Sequence, residues 1–280
     1  MLLLVDLDGV VYRGSAPVPG VAAVLAARAA LGDDVVYVTN NSMHYRADYV
    51  DRLAAMGAPV SAERVVSSPR ATALWLAERD PRPRRVLAFG GPGLGRELQD
   101  VGFEVVTAAE AAARVEAEGI DGYTAAGRPD AVVVGLDPDV TYGRLAVAVE
   151  TARAGALFVV TNRDPVYPTE TRLMPGAGSM VAAVETASGV RAISIGKPEP
   201  LLLLEAAHAA GEEPGDAVMI GDGIATDLAA ARAVGARCVL MLTGVTTRAE
   251  IEALPPAERP TAVAADAEEL STILEALARG

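Results

Sequence analysis

Short apolar runs, alternating along the whole chain with stretches of helical spacing, constrain this fold more than any other feature. The runs read Leu2–Leu7, Val35–Thr39, Val65–Ser67, Val86–Phe89, Ala131–Gly135, Leu157–Thr161, Ala192–Ile195, Ala217–Ile220 and Cys238–Leu242. Several are apolar at every position, the pattern of strands covered by helices on both faces. Between them Gly20–Leu31, Ala47–Met56, Ser68–Glu78, Thr141–Ala154, Ser179–Ser188, Pro200–Ala210 and Asp227–Val234 carry the 3.6-residue period of helices. Strands alternating with helices predict an α/β fold with a mainly parallel sheet.

Two breaks divide the pattern. Arg79-Asp80-Pro81-Arg82-Pro83-Arg84 is rich in proline and charge, and Pro175-Gly176-Ala177-Gly178 is a small turn. The segment between them has its own strand and helix runs. We therefore expect residues 80–176 to form a domain inserted into a core made of residues 1–79 and 177–280, a division that 280 residues readily supports.

Composition excludes several classes. With 24 Lys+Arg against 37 Asp+Glu the net charge is −13, which argues against a nucleic-acid partner and against an anionic membrane surface. No apolar run approaches the ~20 residues of a membrane span. Asp6 and Asp8 interrupt the apolar start, so it does not read as a signal peptide. A single cysteine, Cys238, makes no intramolecular disulfide and suits a reducing compartment. The expected location is cytoplasmic.

Four of the runs end abruptly in polar residues: Asp6-Leu7-Asp8-Gly9, Thr39-Asn40-Asn41-Ser42, Gly196-Lys197-Pro198 and Gly221-Asp222-Gly223-Ile224-Ala225-Thr226-Asp227. In an open parallel sheet, ligands bind outside the carboxyl ends of the strands. Carboxylates gathered there repel one another unless a cation sits among them. Oxygen ligands without nearby His or Cys select a hard divalent ion, Mg²⁺. A metal, an ammonium and small hydroxyl and amide donors suit a phosphoryl group. An aspartate beside it can act as nucleophile and a second can carry the proton. Were the first strand to run on to Asp8, Asp6 and Asp8 would share a face.

Ordinary explanations compete. Thr39-Asn40-Asn41-Ser42 and Asp227 both suit helix N-caps, and Lys197 suits the surface. Against the last stands its rarity, since Lys197 is the single lysine among the 24 Lys+Arg. Gly90-Gly91-Pro92-Gly93-Leu94-Gly95 lacks the full dinucleotide glycine pattern. His44 and His208 have no ligand partner at useful spacing, Ser179 lacks a nucleophile elbow, and Cys238 reads as inert core.

Taken in order, Asp6-Leu7-Asp8-Gly9-Val10, Thr39-Asn40-Asn41, Gly196-Lys197-Pro198 and Gly221-Asp222 with Asp227 resemble the four motifs of the haloacid dehalogenase superfamily of phosphatases. The chain looks most like the branch of NagD, phosphoglycolate, pyridoxal and 4-nitrophenyl phosphatases. The likeness extends to Thr161-Asn162-Arg163-Asp164, Pro175-Gly176-Ala177-Gly178 and Leu242-Thr243-Gly244-Val245. It implies a Rossmann-like, doubly wound parallel-sheet core with an inserted α/β cap.

The resemblance also implies a Mg²⁺-dependent phosphatase of small-molecule phosphate monoesters, acting through an aspartyl-phosphate. Asp6 corresponds to the nucleophile and a metal ligand; Asp8 to the general acid/base, also touching the metal through its carbonyl. Thr39 and Asn40 correspond to phosphate-binding positions, and Lys197 to the cation that offsets phosphate and Asp6. Asp222 corresponds to a metal ligand and Asp227 to an acidic position in or behind the metal shell. Gly223 departs from the Asn common there. Asn162 and Arg163, in the cap, are candidates for reaching substrate. Relatives imply a homodimer through the cap as one assembly. Within the superfamily a dehalogenase has no need of Asp8, a phosphomutase shares the motifs, and a non-catalytic phosphate- and Mg²⁺-binding regulator is the alternative of another class.

Overall fold

The apolar run that opens the chain becomes the centre of a six-stranded sheet. Leu2–Asp6, buried along its whole length, lies parallel to Asp34–Thr39 on one side and to Val218–Gly221 on the other. Arg237–Met241 and Ala262–Ala264 continue the sheet beyond Val218–Gly221, and Val65–Ser67 ends it beyond Asp34–Thr39. This is a computed structural model, which describes residues 1–125, 127–168 and 172–279 apart from the side chains of 121, 122, 124, 125 and 168. The chain divides into two compact units. Met1–Thr39, Ala47–Val66 and Lys197–Gly280 make the first, Asn40–Arg46 and Ser67–Gly196 the second.

Helices cover both faces of the first unit's sheet. On one face Leu3, Val5, Tyr37, Ile220 and Val239 pack with Val21 and Leu25 of helix Val21–Ala30 and with Leu270 and Leu274 of helix Ala267–Arg279. On the other, helix Leu201–Ala210 lies on Leu2–Asp6 and Asp34–Thr39, burying Leu202, Leu203, Ala206 and Ala207. Each buried Leu or Val removes apolar surface worth about 1.5–3 kcal/mol from water. That is why these strands are apolar on both faces.

Strand order reverses at Leu2–Asp6. The chain first builds outward to Asp34–Thr39, and after the second unit it returns to lay Val218–Gly221 on the opposite side. The carboxyl ends at such a reversal splay apart and leave a crevice.

The second unit is a five-stranded parallel sheet in the order Ile193–Ser194, Leu157–Val160, Ala131–Val134, Arg85–Phe89, Glu104–Thr107. Its core joins Leu87, Phe89, Val132, Val134 and Val160 to Val147 and Ala148 of helix Tyr142–Arg153 and to Val181 and Val184 of helix Ala177–Ser188. Residues 80–176 fall within this unit.

The α/β class and parallel sheets agree with the sequence reading. Two strands of these parallel sheets escaped it, Glu104–Thr107 and Ala262–Ala264, because one is bounded by polar residues and the other is a three-residue edge. So did the short antiparallel pairs Tyr12–Arg13 with Ala16–Pro17 and Val166–Pro168 with Leu173–Pro175. Gly90–Gly95 is only partly a loop: Pro92 enters the first turn of helix Pro92–Asp100, where its missing N–H costs nothing. Among the described residues no helix is long and apolar enough to cross a membrane.

One ion-pair cluster gives the second unit a pH signature. Glu185, on helix Ala177–Ser188, accepts two bonds from the Arg163 guanidinium (2.9 and 3.2 Å), one from Arg191 (3.0 Å) and one from the Ala192 N–H (2.9 Å). The Arg163 bonds, followed by the Ala192 N–H, hold its carboxyl down at about 2. A depressed carboxylate stabilises the fold above its unfolded pKa of about 4.3 and loses that contribution as pH falls towards the folded value. Glu185→Gln should therefore cost about 1–2 kcal/mol at pH 7, read from the urea midpoint. The difference from the parent should vanish near pH 2. An equal loss at both pH values would mean that packing, not charge, is responsible.

Candidate active site

At the strand reversal the sheet register brings the polar strand ends to one level. Asp6 pairs with Val38, so Thr39 stands one residue further along the neighbouring strand. Val5 pairs with Ile220, so Gly221 and then Asp222 flank Asp6 on the other side. Asp6, Thr39, Lys197, Asp222 and Asp227 are all buried, at 8, 2, 3, 6 and 1% exposure. Burial of this many polar side chains in one place demands mutual satisfaction.

Lys197 supplies much of it. Its Nζ donates to Oδ1 of Asp6 at 2.7 Å and to Oδ1 of Asp227 at 2.6 Å. Burial alone would pull this ammonium down, but Asp227 and Asp6 more than reverse that and raise it. The surface-lysine alternative is thereby excluded. Oδ2 of Asp227 accepts the backbone N–H groups of Gly223 (2.9 Å) and Asp222 (3.2 Å). The backbone here forms a wide turn, with Leu228 N–H reaching back to Gly223 O at 3.1 Å, and helix Ala229–Val234 follows. Asp227 thus fastens a loop and receives the ammonium at once.

Asp222 is held from another strand end. Its Oδ2 accepts the Val245 N–H at 2.8 Å, and Thr243 Oγ1 donates to Gly9 O at 2.7 Å. Glycine is required on both sides of this carboxylate. A Cβ on Gly244 would stand 1.7 Å from Asp222 Oδ2, and one on Gly9 2.3 Å from it, while Gly9 also has φ +85°. Burial, then Asp227, pushes Asp222 up to about 6, opposed by the Val245 N–H. Asp6 is raised well above the usual carboxylate range by burial, against the pull of Lys197 and with Asp227 and Asp222 adding to the rise. One carboxylate oxygen from each of Asp6, Asp222 and Asp227 lies within 4.8 Å of the others. Three buried carboxylates around one ammonium make an all-oxygen set short of positive charge, which fits a hard divalent cation.

Asp8 differs from Asp6 in every respect that sets a role. The strand stops at Asp6, and the Leu7 carbonyl then accepts the N–H groups of Val10, Val11 and Tyr12 in a tight turn. Asp8 sits exposed in that turn rather than on a continued strand face. The turn, not the pleat, separates the two carboxylates.

Asn40, Asn162 and Arg163 belong to the second unit. There the Asn40 amide donates to Asp164 at 3.1 Å, and Asn162 donates to the Asn40 carbonyl at 2.7 Å. Arg163 holds Glu185 and the Ala192 carbonyl. The helix-cap reading of Thr39–Ser42 does not hold, since the next helix begins at Arg46 and Ser42 receives the Leu136 N–H instead. Gly9, Gly244 and Val245 were not singled out as site residues. The signal for Gly244 and Val245 is Leu242-Thr243-Gly244-Val245, a fifth apolar run ending in small and polar residues, and Gly9 closes the first motif, Asp6-Leu7-Asp8-Gly9.

Residues 3–104 match the family model of the haloacid dehalogenase-like hydrolases, and residues 194–270 match a HAD-hydrolase-like model. An acid sugar phosphatase of Staphylococcus saprophyticus is 34% identical over 255 residues, covering 90% of this chain and 91% of its own. The chain belongs to the haloacid dehalogenase-like hydrolases. Among solved structures, the p-nitrophenyl phosphatase from Archaeoglobus fulgidus superposes with a TM-score of 0.84 at 27% identity, covering 97% of this chain and 98% of its own. Glycerol phosphate phosphatase from Mycobacterium tuberculosis, in complex with magnesium, superposes with a TM-score of 0.81 at 35% identity, covering 96% of this chain and 76% of its own. Within the haloacid dehalogenase-like hydrolases the chain is a phosphatase, a hydrolase of phosphoric monoester bonds. The buried cluster around Lys197 lies on strand ends that the two family matches cover between them, Asp6 in the first and Lys197, Asp222 and Asp227 in the second.

Proposed function

We propose that this phosphatase hydrolyses small phosphate monoesters through an aspartyl-phosphate on Asp6, with Mg²⁺ as its cation. The observation that carries the reading is the buried Asp6–Lys197–Asp227 bridge beside Asp222 at the strand reversal. Asp6, Asp222 and the Asp8 carbonyl are the groups that would hold Mg²⁺, and Asp227 supports them from behind, its two oxygens already engaged by Lys197 and by loop N–H groups. When bound, the ion supplies positive charge against the phosphate oxygens.

In the first half-reaction a carboxylate oxygen of Asp6 attacks phosphorus and the P–O bond to the alcohol breaks. Asp8, exposed in its turn, gives its proton to the leaving oxygen. In the second, water attacks the acyl-phosphate, Asp8 takes the water's proton, and phosphate leaves with Asp6 restored as carboxylate. Lys197 offsets the charge that gathers on Asp6 and phosphate, and Thr39 and Asn40 are assigned to phosphate contacts. Substrates in the class of the relatives, sugar phosphates and glycerol phosphate, suit a site whose chemistry touches only the phosphoryl group. Asn162 and Arg163 remain assigned to substrate selection.

A panel of phosphate monoesters assayed with Mg²⁺ and with EDTA tests the reading. Turnover should require the cation, and full activity in chelator would end it. Metal loading should also show without turnover. At a concentration about 100 times its Kd, Mg²⁺ should stabilise the chain by ~2.7 kcal/mol, a melting shift of roughly 5–10 °C. Asp222→Asn should largely abolish that shift.

A further inference from the structure

The second unit has a crevice of the kind doubly wound sheets use for ligands, and the chain's own Asn40–Arg46 segment lies in it. Numbered within the five-stranded sheet, its strands run 2-1-3-4-5, so the order reverses between Arg85–Phe89 and Ala131–Val134. Ligands of such sheets sit beyond the carboxyl ends of the strands at that reversal. Here those ends are Gly90-Gly91 and Gly135-Leu136, tied by Gly135 N–H to Phe89 O (2.8 Å) and Gly91 N–H to Leu136 O (2.9 Å).

Three glycines at this place face residues 42–44. A Cβ on Gly93 would lie 2.5 Å from the His44 carbonyl carbon, one on Gly135 3.2 Å from Ser42 Oγ, and one on Gly91 3.5 Å from Met43 O. Ser42 is buried and accepts the Leu136 N–H at 3.0 Å. The ends of the segment are held as well. The Asn40 carbonyl accepts Ser68 Oγ and Asn162 Nδ2, both at 2.7 Å. Arg46 N–H donates to the fully buried Glu97 at 3.1 Å.

We propose that Gly93, Gly135 and Ser42 are positioning residues for the phosphate-binding Thr39-Asn40 turn. The crevice holds this segment in place of a ligand. It thereby sets the backbone of Asn40 and of Thr39, to which Asn40 is covalently joined. The inference rests on the phosphatase reading above.

Gly93→Ala tests it, because alanine is a better helix former than glycine in helix Pro92–Asp100 and any defect must come from the segment it displaces. Gly95→Ala, in the same helix, is the control, since its Cβ would meet only Val105 Cγ1 at 3.9 Å. Folded Gly93→Ala should raise KM for 4-nitrophenyl phosphate and Ki for inorganic phosphate by about tenfold or more. Half-saturation by Mg²⁺ should stay unchanged, because Asp6, Asp222 and Asp227 belong to the first unit. Ser42→Ala should move the phosphate constants in the same direction, and it decides alone if Gly93→Ala does not fold. A lowered Tm with an unchanged phosphate Ki in these variants would make the residues merely structural and overturn the proposal. Amide hydrogen exchange reads the docking without turnover. Residues 41–46 should lose protection in Gly93→Ala but not in Gly95→Ala, and retained protection in a folded Gly93→Ala chain overturns the proposal as well. A parent enzyme that neither binds phosphate nor hydrolyses esters would instead sink the phosphatase reading, and the inference with it.

Discussion

Asp6→Asn should fold normally and turn over phosphate esters at least about 10⁴-fold more slowly than the parent. The amide has the shape of the carboxylate but no charge with which to attack phosphorus. Its stability should move the other way. Asp6 is one of three buried carboxylates around one ammonium, and burial together with Asp227 and Asp222 already disfavours its charge. Neutralising it in chelator therefore relieves repulsion, and the melting temperature should hold or rise although the bond to Lys197 weakens. Release of 4-nitrophenol and a thermal melt in EDTA measure the two effects on the same sample. More than a trace of activity, with contaminating phosphatase excluded, would remove Asp6 from the nucleophile role.

Lys197→Met should produce the largest loss of stability of any single substitution in the site. Truncating one partner of a buried ion pair leaves the other charge without compensation, at a cost of about 3–5 kcal/mol. Here two carboxylates, Asp6 and Asp227, lose the same ammonium. The sign of the pH dependence follows from the carboxylates. Asp6 and Asp222 already have folded pKa values above the ordinary one, Asp222 at about 6, and loss of the ammonium raises them further. A raised carboxylate destabilises the fold as pH climbs from its unfolded value through its folded one. In chelator the variant should therefore lose more at pH 8 than at pH 4.5, as read from urea midpoints. Mg²⁺ should narrow the gap. Lys197→Arg should fail almost as badly in turnover, because a planar guanidinium is bulkier than an ammonium held at 2.7 and 2.6 Å between two carboxylates. A folded Lys197→Arg enzyme with near-parental kcat would show that charge alone matters there.

The burial and clustering of the first unit's polar strand ends were legible in sequence because water forbids the alternatives. An aspartate closing a run such as Leu2-Leu3-Leu4-Val5 is buried by its neighbours whatever the fold, so it must have a partner, and a parallel sheet collects such strand ends at one edge. Asp6, Thr39, Lys197 and Asp222 could be named from that reasoning. Their partners could not. The bond from Lys197 to Asp6 spans 191 residues and that from Val245 to Asp222 spans 23. Only strand order and register decide which ends meet, and those depend on packing summed over the whole sheet. The need for glycine at positions 9 and 244 is likewise invisible until Asp222 is in place between them. The second unit was legible as α/β but not in its contacts. Asn162 and Arg163 close a strand just as Asp6 does, yet their side chains turn to Asn40 and Glu185. Local sequence determined which residues must be satisfied; the tertiary structure decided by what, because the partners come from chain brought near only by folding.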